Sequence, residues 1–142
     1  MTSERITLVD ISGCNSMQKD DITVSAIPKT WILDLDGTLV KHNGYIIDGY
    51  DTLLEGVPKL LNMISPKDMV IIITSREELY KEKTESFLYE NNVRYNKIIW
   101  GAPYGERILI NDKKPSGLLT AIAINKDRDT PLDLKIHTDE SL

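Results

Sequence analysis

The stretch TWILDLDGTLV, residues 30–40, is an apolar run that ends in two aspartates separated by one leucine. Its apolar and β-branched residues predict a strand that stops at Asp34 and Asp36, and Gly37 predicts a turn after it. Carboxylates at the end of a hydrophobic strand cost free energy unless a partner compensates their charge. The nature of that partner is therefore the main question that this sequence raises.

The rest of the chain alternates between strand-like and helix-like segments. Strands are predicted over MVIIIT, KIIW, ILIND and AIAIN, at 69–74, 97–100, 108–112 and 121–125. Helical spacing of apolar residues predicts helices over 53–64 and 77–92, the second with Leu79, Phe87 and Leu88 inward. Asn43-Gly44 predicts a hairpin turn. The alternation predicts an α/β domain with a mainly parallel sheet.

One connection between predicted strands is shorter than a parallel sheet requires. Only GAPYGER separates Trp100 from Ile108, whereas a parallel crossover needs a dozen or more residues. Either KIIW and ILIND are antiparallel, or an extended crossing replaces the helix, and the sequence leaves both open.

Bulk properties narrow the classes of function. The chain has 142 residues, and we divide it into an N-terminal extension, 1–29, whose structure the pattern does not define, and one domain, 30–142. A net charge of -5 and a pI near 5.0 argue against a nucleic-acid partner. No apolar segment approaches ~20 residues, which predicts no membrane span. One cysteine, Cys14, and no secretory signal predict a cytoplasmic protein.

Polar residues follow three of the predicted strands. In a parallel sheet the carboxyl ends of the strands meet at one edge, where ligands bind. This placement predicts a pocket built from Asp34, Asp36, Thr74, Ser75, Asn111 and Asp112. Such a cluster of carboxylates repels itself unless a hard cation is bound, and its oxygen ligands suit Mg²⁺. Because Mg²⁺ keeps positions open for substrate phosphate, the sequence predicts phosphoryl chemistry.

Three motifs carry a resemblance to a known family. DLDGTL at 34–39, IIITSR at 71–76 and LINDKKP at 109–115 resemble the first, second and fourth motifs of the haloacid dehalogenase-like (HAD) phosphohydrolases, in the family's order. The resemblance covers roughly residues 30–125. It implies a Rossmann-like three-layer sandwich with a mainly parallel central sheet. The 37 residues between Asp36 and Thr74 and the 37 between Thr74 and Asp112 leave no room for a cap domain.

The resemblance also implies a role for each motif residue. Asp34 is expected to be the nucleophile that forms an aspartyl-phosphate, and Asp36 the general acid and base. Thr74 is expected to donate its hydroxyl to a phosphoryl oxygen. The Mg²⁺ cofactor is expected to bind the Asp34 carboxylate, the Asp36 backbone carbonyl and Asp112.

The sequence departs from the family at the third motif. Related capless members carry a lysine in a Gly-Lys-Pro segment, where this chain has Gly101-Ala102-Pro103. Lys97 lies at the wrong end of its strand if that strand is parallel, so we assign the role to Lys114. Arg76 or the backbone is the alternative, although Arg76 by itself is more typical of a surface or pairing residue.

The expected activity is Mg²⁺-dependent hydrolysis of a phosphomonoester. A sugar phosphate or similar small metabolite is implied by analogy with short family members that resemble polysaccharide-pathway phosphatases. Without a cap domain the active site is expected to be open. It then either accepts a large substrate or is covered by another subunit of a homo-oligomer. Other readings stay open: a weak or inactive HAD-fold binding module, a receiver-like phospho-acceptor, a phosphotransferase, or a hydrolase of 3′-phosphorylated nucleic acid.

Overall fold

The structure is a computed structural model that describes residues 6–7 and 21–142. Its elements, in chain order, are β1 (Ile6–Thr7), β2 (Asp21–Val24), β3 (Thr30–Asp34), α1 (Gly44–Ile47), α2 (Val57–Met63), β4 (Met69–Ile73), a 3₁₀-helix (Glu78–Tyr80), α3 (Lys81–Glu90), β5 (Lys97–Ile99), β6 (Ala123–Ile124) and β7 (Lys135–Thr138). Helices and parallel strands make it a small α/β protein with open sheets, compatible with a Rossmann-like fold. Among the described residues, no helix is long and apolar enough to cross a membrane.

The chain groups into two compact units. Unit 1 comprises Met1–Ile27, Gly105–Asp127 and Asp133–Leu142, and unit 2 comprises Pro28–Tyr104 and Arg128–Leu132. The predicted division into an extension, 1–29, and a domain, 30–142, stays a prediction. Most of residues 1–29 lies outside the described part.

Unit 2 contains a three-stranded parallel sheet in the order β3-β4-β5. The connections from β3 to β4 and from β4 to β5 carry helices, as parallel neighbours require. In β4 the fully buried residues are Val70 and Ile72, while Ile71 and Ile73 are half-buried. The unit's core consists of Leu35, Leu39, Val40, Val57, Ile72, Leu88 and Val93.

Unit 1 contains two two-stranded sheets. β1 pairs with β6 antiparallel, and β2 pairs with β7 in parallel. Ile22 and Val24 of β2 are buried against Ile122, Leu134 and Ile136. In this unit the AIAIN prediction is confirmed only for the two residues of β6.

The predicted strand ILIND is wrong. Residues 105–114 contain no strand, and Ile108 and Ile110 are 82% and 92% exposed. The chain instead forms a loop here that is held by hydrogen bonds within it. Asn111 donates its side-chain N–H to the Thr120 hydroxyl at 2.8 Å, and the Lys114 N–H donates to the Leu118 carbonyl at 3.0 Å. Lys97–Ile99 of KIIW form β5, parallel to β4, and because ILIND forms no strand, the short link after Trp100 does not have to cross between strands.

The predicted hairpin at Asn43-Gly44 is also wrong. Asn43 has the expected left-handed φ of 57°, but its carbonyl accepts the N–H groups of Ile46 and Ile47 and starts the single turn of α1. The chain still reverses, since Val40 forms an antiparallel bridge with Leu53. Leu79, predicted to face inward, is 81% exposed because it lies in the 3₁₀-helix before α3.

The helix predicted from Leu53 starts later, at Val57. Gly56 precedes it with φ 87°, a left-handed conformation that glycine adopts without steric cost. A Cβ at Gly56 would lie 2.0 Å from the Leu132 carbonyl oxygen, so glycine is required here for space as well. Pro58 lies in the first turn of α2, as predicted, where the helix tolerates a residue without an N–H group.

Candidate functional site

The chain turns sharply where β3 ends, and this turn presents the two aspartates. Asp34 is the last residue of β3, and the Leu35 carbonyl accepts the N–H groups of Thr38, Leu39 and Val40 at 3.3, 2.9 and 3.1 Å. Gly37 has φ 84° and donates its N–H to the Val40 carbonyl at 2.7 Å. The positive φ explains why glycine follows Asp36.

Asp34 and Thr74 lie at the same edge of the unit 2 sheet. In the parallel register Asp34 is opposite Ile73, and Thr74 is the next residue after Ile73. Asp34 is half-buried, and its Oδ2 accepts the Thr38 hydroxyl at 3.1 Å. The two residues thus follow the carboxyl ends of neighbouring parallel strands, as the sequence predicts.

Thr74 is 1% exposed and is held from both sides. Its N–H donates to the Ile99 carbonyl at 3.0 Å, and its Oγ1 accepts the Arg76 N–H at 3.0 Å. The hydroxyl oxygen therefore has a fixed position, and the hydroxyl hydrogen is the group that would donate to a ligand. The segment Gly101-Ala102 packs beside it, with backbone N–H groups donated to the Arg76 and Thr74 carbonyls.

Arg76 is the centre of a buried ionic cluster at this edge. Its Nε and one terminal nitrogen donate to the Asp36 carboxylate at 3.0 and 2.8 Å. Its terminal nitrogens also donate to the Asp51 carboxylate at 3.0 and 2.7 Å and to the Thr84 hydroxyl at 2.9 Å. The Arg76 side chain is 1% exposed, and those of Asp36 and Asp51 are 17% and 6% exposed.

The electrostatics of the cluster keep Arg76 charged. Burial by itself lowers the pKa of Arg76, but the hydrogen bonds and charges of Asp36 and Asp51 outweigh it and raise that pKa. The ring of Tyr45 covers the guanidinium at 3.8 Å and packs edge-on against Tyr80. Burial, followed by the charge of Asp36, raises the pKa of Tyr45.

A shallow cavity of about 200 Å³ opens beside this cluster. Its lining includes the aromatic side chains of Tyr45, Tyr50, Tyr80 and Phe87, together with Lys83. All of these residues belong to unit 2, so the cavity and the strand-end residues are parts of the same compact unit.

Sequence reasoning missed Asp51, Thr84 and the burial of Arg76. The pairing interpretation of Arg76 agrees with the geometry, whereas the surface interpretation does not, because the residue is 3% exposed. The signal for Arg76 was its position directly after Thr74-Ser75 in a predicted strand-end motif. Asp51 lies in a polar stretch without periodicity, so nothing local indicated that it meets Arg76 across 25 residues.

The structure does not bring all the predicted site residues into one unit. Asp34, Asp36 and Thr74 belong to unit 2, whereas Asp112 and Lys114 belong to unit 1 and are exposed. The Asp112 carbonyl accepts the Thr120 hydroxyl within the loop described above. Lys97 begins the parallel strand β5, at the opposite end of the sheet from Thr74, as expected.

The residues at the β3 end fit Mg²⁺ in the chemistry of their donors. Asp34 supplies a carboxylate and Asp36 a backbone carbonyl, both hard oxygen ligands, and Mg²⁺ takes one or two carboxylates with water and phosphate completing its shell. The carboxylate of Asp36 is engaged by Arg76, which leaves the carbonyl as its expected ligand atom. Within residues 6–7 and 21–142, no group of three histidine, cysteine or acidic side chains is placed to hold a metal ion.

No protein-family model and no curated protein matches the chain. A solved structure described as "Structure of Pnkp1/Rnl/Hen1 complex" is 31% identical over 60% of this chain and 32% of that one, with a TM-score of 0.46. A second, "Structure of the Pnkp1/Rnl/Hen1 RNA repair complex", is 28% identical over 75% of this chain and 32% of that one, also at 0.46. The chain spans about a third of the length of these proteins.

Proposed function

We propose that the chain is a Mg²⁺-dependent phosphomonoester hydrolase of the capless HAD-like type, with the Rossmann-like three-layer architecture of that family. The observation that carries the proposal is the placement of Asp34 and Thr74 after adjacent parallel strands in register. Ligands of open parallel sheets bind at this edge. The glycine turn after Asp36 and the order of the three motifs support the same assignment.

In the proposed reaction, a carboxylate oxygen of Asp34 attacks phosphorus and forms an aspartyl-phosphate. Asp36 enters this step protonated: the bond from phosphorus to the leaving oxygen breaks, and Asp36 transfers its proton to that oxygen and becomes a carboxylate. Water then attacks phosphorus, Asp36 takes its proton, and the bond to Asp34 breaks to release phosphate. The Thr74 hydroxyl donates to a phosphoryl oxygen throughout. Bound Mg²⁺ would neutralise negative charge on the phosphoryl oxygens.

Asp112 and Lys114, which belong to unit 1, keep the roles that the fourth motif implies as part of the proposal. Asp112 is the expected third ligand of Mg²⁺, and Lys114 is the expected substitute for the absent third-motif lysine. Both assignments rest on the LINDKKP motif.

The proposed substrate is a small phosphorylated metabolite such as a sugar phosphate, in the cytoplasm. Without a cap, the site depends on a large substrate or on a neighbouring subunit of a homo-oligomer to exclude water. This part of the proposal is supported by the family resemblance alone.

The proposal is tested by hydrolysis of 4-nitrophenyl phosphate with and without Mg²⁺, with wild type beside Asp34→Asn. The matched control is Asp133→Asn, which removes an exposed carboxylate. We expect Mg²⁺-dependent turnover in wild type and control, and a loss of more than about 1,000-fold in Asp34→Asn because the nucleophile is removed. Circular dichroism checks that each variant is folded.

Two results would contradict the hydrolase. A phospho-aspartate that forms on wild type from a small phosphodonor and persists for hours would indicate a phospho-acceptor domain. Mg²⁺ binding without hydrolysis of aryl phosphate, sugar phosphates or a 3′-phosphorylated oligonucleotide would indicate a binding module.

A further inference from the structure

The guanidinium of Arg76 has no donor left for a substrate. An arginine side chain carries five N–H groups. Arg76 makes five side-chain hydrogen bonds, two to Asp36, two to Asp51 and one to Thr84. A phosphate could bind Arg76 only by breaking one of these bonds to a side chain that is 1% exposed. Arg76 is therefore poorly placed to substitute for the absent lysine.

The two carboxylates use different edges of the guanidinium. Asp36 accepts from Nε and one terminal nitrogen, and Asp51 accepts from the two terminal nitrogens. Both pairs are bidentate, and such pairs fix the planes and orientations of the groups they join. Asp51 thus determines the orientation of the guanidinium, and the guanidinium determines the orientation of the Asp36 carboxylate.

We infer that Asp51 is a positioning residue, which acts through Arg76 to aim the Asp36 carboxylate at the leaving-group oxygen. The inference rests on the proposed function, in which Asp36 gives a proton to that oxygen. Asp51 itself contacts neither Asp34 nor Thr74 in any hydrogen bond of the structure's described residues. A proton donor must lie within hydrogen-bonding reach of its target, so a small rotation of Asp36 reduces its effect.

Asp51→Asn tests the inference with little change of shape. An asparagine has one acceptor oxygen in place of two, so at least one Arg76 N–H loses its partner. Asp48→Asn is the matched control, because Asp48 lies in the same segment but pairs with Lys41 at 2.9 Å instead of Arg76. Asp51→Glu keeps the carboxylate on a longer side chain and tests for rescue.

The readout is the ratio of kcat/KM for an alkyl phosphate to that for 4-nitrophenyl phosphate. kcat/KM reports the steps up to departure of the leaving group. An alkoxide needs a proton to leave, whereas nitrophenolate does not, so loss of aim at Asp36 lowers the ratio. We expect Asp51→Asn to lower it about 10- to 100-fold, up to the lower end of the 10²–10⁴ that a positioned general acid contributes, because Asp36 is misaligned and not removed. Asp51→Glu should recover part of it, and Asp48→Asn should leave it unchanged.

A second readout separates positioning from phosphate binding and from folding. The inhibition constant of inorganic phosphate should stay within about twofold in Asp51→Asn, because the inference gives Arg76 no role in phosphate binding, all five of its N–H groups being paired within the protein. A variant that is only less stable loses activity on both esters equally and leaves the ratio unchanged. If Asp51→Asn does not fold, the test passes to Asp51→Glu. The inference then requires Asp51→Glu to lower the ratio of the two kcat/KM values by about threefold or more.

The outcomes distinguish the inference from the proposed function. Turnover in wild type and none in Asp34→Asn, together with an unchanged ratio in the Asp51 variants, would overturn the inference and leave the hydrolase intact. Phosphate binding weakened about tenfold in Asp51→Asn would overturn it too, because Arg76 would then act on the phosphate. No turnover of either ester, of sugar phosphates or of a 3′-phosphorylated oligonucleotide by wild type would refute both.

Discussion

Asp68 joins the starts of β3 and β4 and provides a measurable test of the electrostatics in unit 2. Its carboxylate accepts the Lys29 N–H and the Trp31 indole N–H, both at 2.9 Å, and the residue is 4% exposed. Asp68→Asn keeps the shape but leaves a single acceptor oxygen, so one of the two donors loses its partner.

The expected loss follows from the strength of one hydrogen bond to a buried charge. Such a bond contributes about 1.5–3 kcal/mol, so we expect the free energy of unfolding at pH 7 to fall by that amount. Burial raises the pKa of Asp68, but the bonds from Trp31 and Lys29 outweigh it and lower that pKa. The pKa of Asp68 is lower in the folded protein than in the unfolded chain, where an aspartate has a pKa of about 3.9. The ionised carboxylate therefore stabilises the fold above that unfolded pKa, and this stabilisation is lost as the pH falls through the folded pKa. The difference between wild type and variant should therefore be constant from about pH 7 to 5 and shrink below about pH 4.

Urea unfolding measures this difference, followed by circular dichroism and by Trp31 fluorescence in a Trp100→Phe background. Asp133→Asn is the control for loss of an exposed carboxylate. A difference under about 0.5 kcal/mol at pH 7, the usual range of surface substitutions, would refute the reasoning. A difference that grows as pH falls would refute the sign of the pKa shift.

Three further predictions concern packing and the site. Gly56→Ala places a Cβ 2.0 Å from the Leu132 carbonyl oxygen at a φ of 87°, so we expect thermal unfolding to show a loss above about 2 kcal/mol, and an unchanged midpoint would contradict the contact. Leu88→Ala empties a fully buried position and should cost about 2–5 kcal/mol in urea unfolding, with a loss near zero as the contrary result. Thr74→Val removes a hydroxyl without changing volume and should lower kcat for 4-nitrophenyl phosphate about 100-fold, and near wild-type turnover would remove Thr74 from the site.

Local pattern was sufficient to locate the three strands of the unit 2 sheet. β3, β4 and β5 occur within the segments where they were predicted, because TWILD, MVIII and KII pair with one another in one parallel sheet. ILIND has an equally apolar composition and forms no strand, since an apolar run does not specify which strand it pairs with. Asn43-Gly44 contained the correct left-handed residue, but the bonds that its carbonyl accepts start a helix instead of a hairpin.

For the site, sequence alone determined that Asp34 and Thr74 follow adjacent strands, because side chains after parallel strands meet at one sheet edge whatever the details of packing. It also determined that glycine must follow Asp36, where φ is positive. Only the tertiary structure decided the partner of the Asp36 carboxylate. Arg76 is 40 residues from Asp36 and 25 residues from Asp51 in sequence. Contacts at such separations are set by how helices and strands pack together and not by any local pattern.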